Sequence, residues 1–319
     1  MCMDVISYGE VMLRFTPERF RTFVASNSWN VEVGGTEANV LINLSLLGVS
    51  TSFITFFPDN FLGYKAYCEL RKYGVGVEKT RLVSYGRMGM YFVEFHHRSF
   101  GIQVIYDRKD SAFSLTPLSE EDLEYFRRAK LIHLTGITPS LSDVCRDNQI
   151  KILKSKGGNQ KISFDVNFRK KLWEEEDFKR YLKEVMDYID ILFIKKEDYN
   201  ILFSNEEDEE KILHNLQKDF GEEKIFVLTK GEEGATAIYK GEMCSVSSYN
   251  TDIVDRIGAG DAFTAGFLYG YLNNKDLKEC VDLGNILASV KMSVFGDFIS
   301  VDRRTLEQFL ENSIRSVER

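Results

Sequence analysis

The sequence predicts an α/β fold, built on a doubly wound, mostly parallel sheet flanked by helices, with a second and smaller β-sheet beside it. Three observations carry this. Short apolar, β-branched runs alternate with segments of helical spacing over most of the 319 residues. Between about 84 and 112 that alternation gives way to a stretch rich in aromatic and β-branched residues, broken by a His/Arg/Gly turn at 96–101. Near the carboxyl end, Gly258-Ala259-Gly260-Asp261 runs straight into an apolar helix.

Taken in order, residues 3–8 read as a short strand ending at Gly9-Glu10. Residues 37–47 have helical spacing and follow Gly34-Gly35. The run STSFITFF at 50–57 reads as one buried strand, and 63–73 as the helix after it. The segment 89–106 reads as a hairpin, with 12–32 supplying further strands of the small sheet. After Pro117 the alternation returns: strand 130–136, helix 142–154, strand 161–167 and helix 177–188. Strands follow at 190–194, 224–229 and 235–240, with a helix at 206–219 between the first two of these. The acidic run at 206–210 is a solvated helix start, where carboxylates complement the helix dipole. Such strand–helix alternation places ligands at the carboxyl ends of the strands.

The bulk numbers narrow the function. A composition 44% apolar and 28% charged is that of a globular protein, and a net charge of −8 argues against general nucleic-acid binding. Five cysteines, scattered and without C-x-x-C spacing, point to free thiols in a reducing compartment. The amino terminus carries Asp4 and Glu10 without a long apolar run, and no stretch reaches transmembrane length. A cytoplasmic protein with small-molecule ligands is expected.

The residues 258–261 carry the chemistry. No side chain from Gly258 to Gly260 exceeds a methyl, so the N–H groups opening the helix are bare. Bare N–H groups at the positive end of a helix dipole make an anion site. Asp261, on the first turn, is within reach of a hydroxyl brought to the same anion, which suits phosphoryl transfer with the carboxylate taking the proton. Three polar clusters follow strands and are candidates to converge there: Gly34-Gly35 with Asn39, then Asp165-Asn167-Arg169, and the loop Thr229-Lys230-Gly231-Glu232-Glu233-Gly234. Neither a Walker-type loop nor a G-x-G-x-x-G after the first strand is present. His96 and His97 fall at the hairpin turn, and they and His133 lack the acidic partners that catalysis or metal binding needs.

On these motifs the chain resembles carbohydrate kinases of the ribokinase-like family, also called the phosphofructokinase B family. The amino-terminal pattern is met by Gly34-Gly35-Thr36-Glu37-Ala38-Asn39 and continues through Leu47-Gly48, and the carboxyl-terminal signature by Asp255-Arg256-Ile257-Gly258-Ala259-Gly260-Asp261. The resemblance implies one kinase domain over 1–319 with a discontinuous β-lid from about 12–32 and 84–112. It implies transfer of the ATP γ-phosphate to a sugar hydroxyl, with Asp261 as general base and the amides of Gly258, Ala259 and Gly260 as anion hole. ATP with Mg²⁺ is expected along Thr229, Lys230, Gly231 and Gly234, with Asn167, Gly258, Gly260 and Asn285. The segment holding Tyr91, Tyr106 and Arg108 is similar to the lid of 2-keto-3-deoxygluconate kinases, which implies sugar contacts at Gly34, Gly35, Asn39, Tyr91, Tyr106, Arg108, Arg169, Asp255 and Asp261.

Two arginines suit an acid sugar, since a guanidinium binds a carboxylate bidentately. The alternative is that they form structural ion pairs with Asp107 or Asp165, so a neutral sugar or a nucleoside stays open as substrate, as does a non-catalytic sugar- or nucleotide-binding relative. The sequence departs from the family at Lys195 and Asp198, where Asn-x-x-Glu usually organises magnesium through water, and at Arg256, where threonine is usual. Asp198 is the remaining candidate to reach the metal. The edges of a lid sheet also imply a homo-oligomer.

Overall fold

In the computed structural model, which describes residues 3–18, 21–95, 101–301, 304–306 and 308, the chain folds around an eight-stranded sheet. Its strands are β1 (Met3–Tyr8), β4 (Thr51–Ile54), β9 (Ala129–Thr135), β10 (Lys161–Asp165), β11 (Ile191–Lys195), β12 (Ile225–Thr229), β13 (Ala235–Tyr239) and β14 (Glu242–Val246). They run in the order β14-β13-β12-β11-β10-β9-β1-β4, parallel from β4 to β12. β13 and β14 close the edge antiparallel, because the two-glycine loop after β12 is too short for a crossover helix.

Alternate residues of each strand feed two cores. Val5, Leu131, Phe193 and Val227 face one, packed by α1 (Thr36–Leu46), α9 (Ala259–Leu272) and α10 (Leu277–Met292). Ile6, Ile132, Phe164 and Leu192 face the other, covered by α5 (Asp143–Lys154), α6 (Glu175–Val185) and α8 (Glu209–Phe220). Both faces being covered explains why these strands read as continuous apolar runs. Caps match the sequence: Ser142 caps α5 at Cys145 N–H, and Asp276 and Glu279 form a reciprocal capping box on α10.

A second sheet of four strands, ordered β3-β2-β7-β8, is made by β2 (Met12–Pro17), β3 (Trp29–Gly34), β7 (Met90–Phe95) and β8 (Ile102–Asp107). β2 leaves directly from the carboxyl end of β1 and β3 returns into α1, so this sheet hangs over the end of the large sheet where ligands bind. Its central pair is parallel, Leu13 opposite Met90.

The structure corrects several readings. STSFITFF is two strands: β4 joins the large sheet, while β5 (Phe56–Pro58) pairs with β6 (Arg81–Val83) beside it. An apolar run buried throughout cannot reveal that it changes partners at Thr55. Helices α2 (Phe61–Lys72), α3 (Ala112–Leu115), α4 (Glu120–Phe126) and α7 (Lys196–Leu202) are also present among the described residues, and of these only α2 is legible as a helix beforehand. Helix α6 stops at Val185, its last turn tightening into a 3₁₀ segment, Met186–Tyr188. His96 and His97 lie outside the described residues, and His133 is buried at the middle of β9, its Nδ1 2.8 Å from Ser163 Oγ.

Candidate active site

Gly258 caps α9 with φ of 81°, and a Cβ there would run into the Asp297 carbonyl, so backbone conformation and packing both demand glycine. Ala259 N–H closes the turn on Arg256 O at 3.3 Å. The next two N–H groups, of Gly260 and Asp261, belong to a first turn that no intrahelical carbonyl can reach. A Cβ at Gly260 would meet open space, so the turn faces a cavity. Of the three amides expected to hold an anion, Ala259 N–H is taken up by the turn, and the open amides of this first turn are those of Gly260 and Asp261.

Asp261 is 9% exposed. Its Oδ1 accepts from Thr36 Oγ1 at 2.6 Å and its Oδ2 from Asn39 Nδ2 at 2.6 Å. Burial raises its pKa above the ordinary carboxylate value, and these two hydrogen bonds pull the other way. The helix α1 therefore orients the carboxylate with Thr36 and Asn39 of its first turn, and Gly35 before it lets the backbone enter close to Glu10.

Two cavities meet at this turn. One, of about 460 Å³, runs from Lys195 and Thr229 past Gly231 and Gly234 to Tyr249, Phe263, Asn285 and Met292. The other, of about 290 Å³, lies under the small sheet among Glu10, Gly35, Asn39, Tyr91, Tyr106, Arg108, Asp165, Asn167, Arg169 and Asp297. Lys195, Arg256, Ala259 and Gly260 line both. A ligand in each would meet over the amides of the turn.

Most predicted site residues converge, and a few do not. Tyr106 stacks on Tyr91 at 5.8 Å, and the Arg108 guanidinium sits 5.9 Å from the Tyr106 ring centre. Arg108 pairs with Glu10, its Nε and Nη2 at 2.7 and 2.5 Å from Oε2, and not with Asp107, which Arg87 holds. Arg169 makes no ion pair among the described residues; its Nη1 reaches only the Phe168 carbonyl at 3.3 Å. Gly34 abuts the Tyr91 hydroxyl and Asp297 without lining a cavity. Asp255 is behind the wall, fully buried and bound to Arg14 Nη2 at 2.7 Å. Lys230 turns away to Glu209 at 2.8 Å, so its loop offers Thr229, Gly231 and Gly234 to the larger cavity without the lysine. Asn167, in the left-handed region at φ 39°, lines the smaller cavity instead, donating from Nδ2 to Thr36 Oγ1 at 3.2 Å. Asn285 lines the larger cavity and ties α10 to the Val246 carbonyl at 3.0 Å.

Lys195 stands at the joint. Asp165 is pushed up to about 7 by burial, Lys195 pulling it back, and Asp198 is raised by burial with the same lysine opposing. Asp198 lines neither cavity; its Oδ2 accepts the Phe168 N–H at 3.2 Å. No group of three His, Cys, Asp or Glu among the described residues is arranged to hold a metal ion. Arg256, half exposed, pairs with Glu232 at 3.0 Å across the mouth of the larger cavity.

Several site residues escape the sequence reading. Glu10 is 3% exposed with Oε1 unpaired. Glu37, pushed up to about 7 by burial, accepts from Thr135 and Thr138 hydroxyls at 2.7 and 2.6 Å. Asp297 accepts from Tyr91 Oη at 2.6 Å and from Arg14 Nη1 at 2.6 Å. Thr36 and Glu37 sit inside the glycine-pair motif, where their short spacing to Asn39 was the available signal; nothing in the sequence marks Arg14 or Asp297.

A helix start with open amides beside a buried carboxylate, between two cavities at the carboxyl end of a parallel sheet, suits a phosphotransferase. Residues 3–303 match the pfkB family carbohydrate kinase model, and the chain belongs to that family of enzymes. Among curated relatives it is 29% identical over 320 residues to the 2-dehydro-3-deoxygalactonokinase of Haloferax volcanii, covering 100% of both chains. It is 28% identical to fructokinase-2 of Oryza sativa subsp. japonica, covering 90% of this chain and 87% of that one. The crystal structure of the 2-dehydro-3-deoxygluconokinase of Thermotoga maritima superimposes with a TM-score of 0.89 at 28% identity, covering 98% and 99% of the two chains. No helix among the described residues is long and apolar enough to cross a membrane.

Proposed function

We propose that this enzyme transfers the γ-phosphate of ATP to a hydroxyl of 2-keto-3-deoxygluconate or a similar acid sugar, and that residues 1–319 act as one kinase domain with the small sheet as its lid. The observation that carries the acid-sugar reading is Arg169, a guanidinium on the wall of the smaller cavity without an ionic partner among the described residues. A guanidinium beside a sugar pocket fits a planar carboxylate. The likeness to two kinases of 2-dehydro-3-deoxy sugar acids supports the same choice.

The sugar lies under the lid with its hydroxyl at Asp261, and Tyr106 and Asn167 offer hydrogen bonds to the polyol. The nucleotide lies along the larger cavity, its base toward Tyr249 and Asn285 and its phosphates toward Gly260. Asp261 takes the hydroxyl proton as the oxygen attacks, while Gly260 and Asp261 amides, aided by Lys195 and Arg256 at the joint, hold the charge on the phosphoryl oxygens. A carboxylate already raised by burial is a better proton acceptor at neutral pH than an ordinary aspartate. The small sheet excludes water, so that the sugar and not water receives the phosphoryl group.

The donors at the joint suit magnesium, a hard cation that keeps most of its waters and takes one or two carboxylates. Asp165, in the wall beside Lys195, and Asp198 behind it would hold it through water; both carry a charge that burial disfavours and a cation would restore. When bound it neutralises phosphate charge.

A neutral sugar is the competing reading, favoured by one observation: Glu10 already neutralises Arg108. A phosphorylation screen over 2-keto-3-deoxygluconate, its galactonate epimer, fructose and a nucleoside separates them; turnover on fructose with none on the keto-deoxy acids would sink the acid-sugar reading. We further propose a homo-oligomer formed through the lid, whose outer face leaves Trp29, Val31 and Ile105 between 37% and 58% exposed.

A further inference from the structure

Lys291, near the end of α10, is a fully buried lysine to which the transfer chemistry gives no task. Its Nζ donates to the Asp255 carbonyl at 2.8 Å, reaches the Val294 carbonyl at 3.5 Å, and lies 4.0 Å from Asp255 Oδ1. Burial lowers its pKa, while Asp255 and Asp297 pull it back up. The groups it touches form the entry to the turn at Gly258. Val254 and Asp255 N–H donate to the Met292 carbonyl at 2.8 and 3.2 Å, Ile257 N–H to Asp255 Oδ1 at 2.9 Å, and Gly296 N–H to Asp255 Oδ2 at 3.2 Å. An ammonium facing backbone carbonyls and a carboxylate oxygen occupies surroundings that also suit a small monovalent cation.

We propose that Lys291 is a positioning residue, a tethered monovalent cation that fixes the backbone at Asp255 and, through it, the amides of the Gly258 turn, so that the enzyme needs no free monovalent ion. Geometry gives the first reason. Asp255 is three residues from Gly258, whose Cα packs against the Asp297 carbonyl, so a shift at the Lys291 cradle has no slack in which to dissipate. Charge gives the second. In this cluster Arg14 and Lys291 face Asp255 and Asp297, with the partly buried Glu32 4.0 Å from Arg14 Nε. Without the ammonium, an excess negative charge would stand directly behind a site that must hold phosphate oxygens.

The test compares the wild type with Lys291→Ala, which removes the ammonium and three methylenes and so leaves room for a small cation, and Lys291→Met, which fills most of that space with uncharged atoms. The turnover arm rests on the sugar-kinase reading above; the melting arm does not. Wild-type kcat should be the same in tetramethylammonium, potassium and ammonium chloride at equal ionic strength. Lys291→Ala should lose about tenfold or more in kcat in tetramethylammonium, with the sugar KM within about twofold. Ammonium or potassium should restore it saturably, and should not restore Lys291→Met. With no substrate present, the melting temperature of Lys291→Ala should rise with ammonium and not with tetramethylammonium. An alanine variant indifferent to the cation in both arms overturns the proposal. If the variants do not fold, the wild type still decides: turnover or melting temperature that falls when tetramethylammonium replaces potassium overturns it. A wild type without turnover on any sugar counts against the substrate reading alone, and the melting arm then decides for Lys291.

Discussion

Thr36 donates its hydroxyl to Asp261 Oδ1 at 2.6 Å, from a position 225 residues earlier in the chain. With Asn39 on the other oxygen, the carboxylate is fixed in one orientation before any substrate arrives. Asp261→Asn should keep this geometry and lose the proton acceptor. We expect kcat to fall by about 10²–10⁴-fold while calorimetric sugar affinity stays near wild type; near-normal turnover would remove the base assignment.

The same hydrogen bonds set a graded outcome at Thr36. Thr36→Val removes the donor and leaves the shape, so kcat should fall by about tenfold with little change in KM for ATP, a loss of one charge-assisted bond. A change confined to KM for the nucleotide would place Thr36 in a different role.

Arg169 and Arg108 should behave differently. Arg169→Ala should raise KM for an acid sugar by about ten- to a hundredfold, the worth of one charged hydrogen-bonding contact, and leave any fructose turnover unchanged. Arg108→Ala also strips Glu10 of its partner and so should lower melting temperature as well. Equal loss on acid and neutral sugars for Arg169→Ala would argue against carboxylate recognition.

Stability should depend on pH in an unusual direction. Glu37 and Asp165 bind protons up to about pH 7 in the folded chain, against ordinary values of 4.5 and 3.8. Between those limits the folded state holds more protons than the unfolded one, so stability rises as pH falls from 7.5 toward 5.5, by up to about 1.4 kcal/mol per pH unit for each group. Glu37→Gln, which mimics the neutral form, should flatten the slope in ligand-free denaturant titrations; an unchanged slope would show that Glu37 is not a source.

The large sheet and the turn at Gly258 were legible because each rests on local pattern. Apolar runs buried on both faces announce strands, and a run of residues no larger than alanine before an acid announces bare amides. What stayed hidden depends on distant partners. Arg14 reads as an ordinary polar residue in a strand, yet it is fully buried between Asp255 and Asp297, which come from the far end of the chain. Asp255 is expected as a sugar contact from the family resemblance, and only the fold shows that its carboxylate faces inward to that arginine. Lys230 is expected along the ATP site from the family resemblance, but Glu209 draws it off. The break in STSFITFF was invisible for a related reason, since burial on every side erases the period that separates one strand from two.

The parallel pairing of Leu13 with Met90 has a consequence for how the molecule assembles. Between those two residues the chain must first lay down α1, β4 and α2, so the join that completes the small sheet closes a long loop and gains nothing until the large sheet stands. We expect the small sheet to form after the large one and to open before it, so its amides on β7 and β8 should exchange with solvent faster than those on β9 and β10. On the proposed reading of this sheet as a lid, that opening would limit how quickly sugar enters and product leaves.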